Sequence, residues 1–202
     1  MTAILKPIGT ALLGAVLLLG CNDTAPFGSM SLVDPSVQTG PAPLLSATLA
    51  SGRITVSGPD GYCIDRTTLR RAASGGFAAI ASCNILTGGQ HGPQVEPGLV
   101  TVTVSRANGV APSPSDLAGA LGTELLNSRE LSALSVGQMA SGGASAFDGS
   151  DPRHWRGAFV LGDHLIGVTL YAPRNSPLTG AQGAAFLNTV SSRIRARSEA
   201  GT

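Results

Sequence analysis

The chain has 202 residues, 43% of them hydrophobic and 12% charged, with 27 Gly, 13 Pro and a formal charge of +1. That length accommodates one ordinary domain plus appendages. The charged fraction is about half of the roughly 25% usual for soluble domains, yet Pro, Gly and alternating Val/Thr argue against a fibre or a multi-pass membrane protein. Lys6 is the single lysine and the bases nearly cancel the 12 acids, so no electrostatic footprint for a nucleic-acid partner exists.

Met1–Lys6 forms a positively charged start, Ile8–Leu19 is an uncharged, mostly apolar run, and small Gly20 and Cys21 follow. This is the pattern of a secretory signal. The apolar run is too short for the roughly 20 residues that span a bilayer as a helix. Leu18-Leu19-Gly20-Cys21 resembles the lipobox of bacterial lipoproteins. The resemblance implies a signal peptide over 1–20, cleavage before Cys21, and a diacylglycerol on the Cys21 thiol, which anchors the chain at the membrane. In such lipoproteins Asp after the cysteine favours retention in the inner membrane; here Asn22 holds that position. Both the cell membrane and the outer membrane therefore stay open, with the chain facing the periplasm.

Removing Lys6 with the signal leaves as many arginines as acids, a mature chain neutral in its side chains. Cys21 is committed to lipid, so Cys63 and Cys83 remain as an even pair in an oxidising compartment and are expected to form a disulfide. Asn22–Pro43, rich in Pro, Gly, Ser and Thr, reads as a flexible tether that with Cys21 makes up 21–43. A single globular domain is expected over 44–202.

Within that domain Arg53–Ser57 alternates as a strand, and Gly58–Gly61 turns the chain into Tyr62-Cys63-Ile64. Phe77–Leu86 reads as one buried strand carrying Cys83. Gly88–Gly98 is a Gly/Pro-rich loop, and Leu99–Ser105 is a strand with Val100, Val102 and Val104 inward. Ser113-Pro114-Ser115-Asp116 opens a helix, with serine as cap, proline in the first turn and a carboxylate facing the exposed amides. Leu117, Leu121 and Leu125 would form its apolar stripe. Strands are expected at Val136–Ala140 and Ala144–Phe147. Trp155–Ala172 reads as a hairpin turning at Gly162-Asp163, which pairs Leu161 with His164, Phe159 with Ile166, Gly157 with Val168 and Trp155 with Leu170. A helix from Thr179 to Arg197 closes the chain. Thr179–Gln182 fits a capping box, Phe186, Leu187, Val190 and Ile194 share a side, and Arg193, Arg195 and Arg197 are expected on a solvated face.

The sum is an α+β fold, an antiparallel sheet with one inserted helix and a C-terminal helix packed on it. Its element order over Ser46–Arg197 resembles the PsbP-like fold of accessory and assembly factors.

Catalytic motifs are absent: no GxSxG, HExxH, phosphate-binding loop or calcium loop occurs. No cofactor or metal is expected. Asp163 and His164 read as turn chemistry and a solvent-exposed strand end, their side chains directed apart. Asp148, Asp151, His154 and Trp155 cluster in sequence and are the candidate ligand or acid-base site, against the plainer reading of a loop leading to a core tryptophan. The functional expectation is a lipid-anchored envelope lipoprotein acting as a non-catalytic binding or assembly module for an envelope partner, through a sheet face or the Gly88–Gly98 loop. The alternative is a periplasmic hydrolase or small-ligand-binding protein whose site assembles only in three dimensions.

Overall fold

A computed structural model describes residues 43–200. The expected signal peptide, Cys21 and the tether before Pro43 lie outside the described residues. Among the described residues ten strands and three α-helices follow one another as β1 (Ser46–Leu49), β2 (Ile54–Ser57), β3 (Tyr62–Ile64), β4 (Arg70–Ala72), β5 (Gly75–Ser82), α1 (Cys83–Leu86), β6 (Leu99–Arg106), α2 (Pro114–Leu121), β7 (Leu125–Glu130), β8 (Ser135–Met139), β9 (His154–Leu161), β10 (His164–Tyr171) and α3 (Ala181–Glu199).

The main sheet is antiparallel in the order β3-β5-β6-β10-β9-β8-β7, with β4 pairing on β5 beside β3; β1 and β2 form a separate hairpin. Alternation decides what each face carries. Val100, Val102 and Val104 of β6, Ile166, Val168 and Leu170 of β10, and Trp155 and Phe159 of β9 are buried in one core. Leu187, Val190 and Ile194 of α3 and Ile54 and Val56 of β2 join the same core. The α+β architecture with its C-terminal helix packed on the sheet is therefore present. The β9–β10 register is the expected one at all four pairs.

Several local expectations fail for identifiable reasons. The Phe77–Leu86 segment is not one strand: β5 stops at Ser82, whose Oγ accepts from Ile85 N and caps α1. The Leu117/Leu121/Leu125 stripe does not form, because Gly122 takes φ 63° and ends α2 at Leu121, leaving Leu125 to begin β7. Pro114 and Ala118 are the buried face of α2 instead. The capping box itself is present: Ser113 Oγ accepts from Asp116 N, and Asp116 Oδ2 accepts from Ser113 N. Residues 144–147 form a short 3-10 turn and loop rather than a strand. Thr179 does not cap α3; its hydroxyl donates to Ser176 O, and the helix starts after Gly180, whose carbonyl accepts from Trp155 Nε1.

The arginines of α3 divide. Arg197 is exposed, but Arg193 bonds Asp60 and the Gly58 carbonyl, and Arg195 lies 4.3 Å above the Phe159 ring while donating to Ala133 O. Arg193 and Arg195 therefore hold α3 to the rest of the fold, contrary to the expectation of a solvated face. Cys63 and Cys83 are disulfide-bonded, Cα to Cα 4.9 Å, tying β3 to the start of α1.

Candidate functional site

The sequence cluster around residue 150 comes apart in space. Asp148 is exposed on the loop before β9. Asp151 is buried, and both its oxygens accept from the Arg153 guanidinium at 3.0 Å. That pair holds the Asp151 carboxyl below its ordinary value. Ser150 is likewise committed, donating to the Gly143 and Phe147 carbonyls. His154 and Trp155 are successive strand residues and face opposite ways. Trp155 enters the core, while His154 stacks on Tyr171 with ring centroids 5.3 Å apart. Burial pushes the His154 imidazole down to about 4; the Arg156 charge adds to the fall and the Pro152 backbone opposes it. Its Nδ1 is buried without a hydrogen-bond partner among the described residues. The four residues do not converge on one reacting point: Asp148 is solvated, Asp151 is paired within its own turn, Trp155 is core, and His154 is a neutral buried ring.

His164 corrects another expectation. Rather than an exposed strand end, it is 3% exposed, because it shares the alternation of Ile166, Val168 and Leu170 and so points to the core face. Asp163 lies in the turn, outside the strand pleat, and its Oδ1 comes within 2.8 Å of His164 Nδ1. The rule that neighbours point apart applies inside a strand and not across this boundary. Arg53 and Arg106 flank the same carboxylate at 3.7 and 3.6 Å. Asp163 and His164 line a cavity of about 420 Å³ with Ile54, Leu161 and Ser198. Ser198 is not available as a nucleophile there, since its Oγ donates to Ile194 O at 2.7 Å and accepts from Thr55 N at 2.9 Å.

The second face of the main sheet is only partly covered. Among the described residues α2 packs mainly over β7, β8 and β9, and the outward side chains of β5, β6 and β10 are covered only in part. Phe77, Thr101 and Tyr171 are half-buried there, and Thr103 is exposed. Where the edge of α2 meets the open strands, a cavity of about 180 Å³ is lined by Pro112, Leu117, Leu165, Thr103, Thr169 and Arg156. Arg156 Nε donates to Thr169 Oγ1 at 3.0 Å.

No family model, curated protein or solved structure matches the chain.

The two cavities were missed in the sequence although their signals were present. The hairpin register pairs Arg156 with Thr169, and the alternation that places Ile166 inward places His164 inward too. The Gly88–Gly98 loop, expected as a partner surface, is strapped down at its end: Tyr62 Oη donates to Glu96 O and Ser176 Oγ to Glu96 Oε1, both at 2.6 Å. Burial raises the Tyr62 phenol above its ordinary value, with Glu96 adding to the effect. Among the described residues no group of three His, Cys, Asp or Glu side chains is placed to hold a metal ion. No described helix is long and apolar enough to cross a membrane.

Proposed function

We propose that this chain is a lipid-anchored envelope lipoprotein facing the periplasm, whose folded part is a non-catalytic binding or assembly module. The observation that carries the binding reading is that, among the described residues, the second face of the sheet is only partly covered, with Thr103 and Ser105 of β6 exposed beside α2. A face of the main sheet left partly open is a surface at which a partner or ligand gains buried area. The Cys63–Cys83 bridge supports an oxidising compartment, which is where the lipobox-like Leu18–Cys21 segment would deliver the domain.

The second reading, a hydrolase or small-ligand-binding protein, draws on the Asp163–His164 pair at its cavity. Against hydrolysis through Ser198 stands the commitment of that hydroxyl to the backbone at both its donor and acceptor positions.

Two measurements test the proposal. Cys21→Ala is expected to abolish fatty-acid labelling and release the protein from the membrane fraction, and unchanged acylation would sink the anchor. A photo-crosslinker at Thr103, on the open face, is expected to capture an envelope neighbour that the same group at Thr189, on the exposed side of α3, does not. Equal capture from both positions removes the assignment to this face.

A further inference from the structure

Among the described residues Arg156 is the one charged side chain lining the cavity between α2 and the partly covered strands; the other described residues around it are small, hydroxylated or apolar. No carboxylate lies within ion-pair distance of it among the described residues. A half-buried guanidinium without a counter-charge is costly, and folds ordinarily supply an acid beside it. Here the fold supplies an orienting group instead. Thr169, 2% exposed, accepts from Nε, which fixes the plane of the guanidinium and leaves its two terminal nitrogens for other acceptors. Two further hydroxyls line the space with only long protein contacts, Thr103 Oγ1 to Gly167 O at 3.4 Å and Ser105 Oγ to Arg106 O at 3.5 Å. Both can turn to donate elsewhere. The positive field in this region is felt by His154, whose proton affinity Arg156 lowers.

Resting on the binding reading above, we propose that this cavity takes a carboxylate, held in the plane of the Arg156 guanidinium and by the Thr103 and Ser105 hydroxyls. A planar two-oxygen anion matches the two parallel N–H donors of a guanidinium. Pro112, Leu117 and Leu165 form apolar walls that suit a short aliphatic stem behind the carboxylate. The volume of about 180 Å³ is below the roughly 300–1,000 Å³ of pockets for drug-sized ligands, so the cavity fits a head group and a few carbons rather than a large molecule.

The test titrates the full-length chain in detergent with butyrate, butylamine, butanol, inorganic phosphate, and an acetylated dipeptide with a free or an amidated C-terminus. The readout is the amide resonances of Gly167 and Thr169 and the Nε resonance of Arg156. Butyrate and the free-carboxylate dipeptide are expected to move these signals saturably, while butylamine, butanol and the amidated dipeptide do not. The tighter of the two carboxylates identifies the source as a free acid or a chain terminus. Arg156→Gln is expected to weaken binding by about tenfold or more, and Arg156→Lys, which keeps the charge but loses the planar fork, by less. Phosphate binding in place of butyrate, or butyrate binding undiminished in both folded variants, overturns the proposal. Failure of butyrate to bind the unsubstituted chain, with Cys21 acylation and Thr103 crosslinking intact, overturns this inference alone, and butyrate binding without acylation overturns only the anchor.

Discussion

Reducing the Cys63–Cys83 bridge separates the crosslink from everything else in the fold, because the sulfurs stay where they are. The bridge spans 20 residues and joins β3, which pairs with β5 at only three positions, to the turn that begins α1. A closed loop of that length removes enough disorder from the unfolded chain to contribute about 3 kcal/mol in the chain-entropy picture. For a domain of this size each kcal/mol corresponds to about 2–4 °C in the melting temperature, so reduction is expected to lower it by roughly 6–12 °C. Urea melts of the same preparation with and without reductant measure the difference, and Cys63→Ala/Cys83→Ala gives a second estimate that adds the loss of two buried sulfurs. Amide exchange adds a local readout: β3 and the C-terminal half of β5 exchange faster on reduction, while the β9–β10 pair stays protected until global unfolding. Oxidised and reduced protein melting within about 1 kcal/mol of each other would refute the entropic reasoning. Free thiols at both positions in exported protein would refute the compartment argument.

Two further expectations concern single side chains. Folded His154 has its proton affinity depressed to about 4, below the ordinary 6.5, so the unfolded chain binds the extra proton between those values and stability falls as pH drops from about 6.5 to 4. The full shift corresponds to about 3 kcal/mol and to about 2 kcal/mol once solvent screening is allowed for; His154→Phe, which keeps a ring against Tyr171, is expected to flatten urea stability across that window, and an unchanged slope would contradict the assignment. Arg195→Ala should cost about 1–3 kcal/mol, because it removes the contact over Phe159 and the bonds to Ala133 O, whereas Arg197→Ala, exposed one turn-face away, should stay within about 0.5 kcal/mol in the same melts.

The parts of this fold legible in the sequence are those where one strong local signal fixes many positions at once. In the β9–β10 hairpin a two-residue turn sets the register, and a slip by one residue would expel Trp155, Phe159, Ile166 and Val168 from the core together. Ser113-Pro114-Ser115-Asp116 is legible because a cap is a contact among four neighbouring residues. β7 was illegible for the opposite reason. All but Leu125 of its residues are exposed, so it has no inward alternation to read and exists by hydrogen bonding to β8. Gly122 carried the information that α2 ends early, but an evenly spaced run of leucines outweighed it in a reading based on period.

The sites show the same division between local and non-local information. Proximity in sequence suggested Asp148, Asp151, His154 and Trp155, yet strand alternation sends the last two to opposite faces and Arg153 occupies Asp151. The correct groupings follow from carrying a register outward through neighbouring strands. From Trp155 opposite Leu170, one step gives Arg156 opposite Thr169, and the β10–β6 pairing then places Thr103 opposite Gly167 on the same face. Each of these positions would be unremarkable alone. An arginine whose cross-strand neighbour is a buried threonine, and whose lateral neighbours are glycine and hydroxyls without an acid among them, is a specific chemical arrangement, and its detection requires the register of three strands at once.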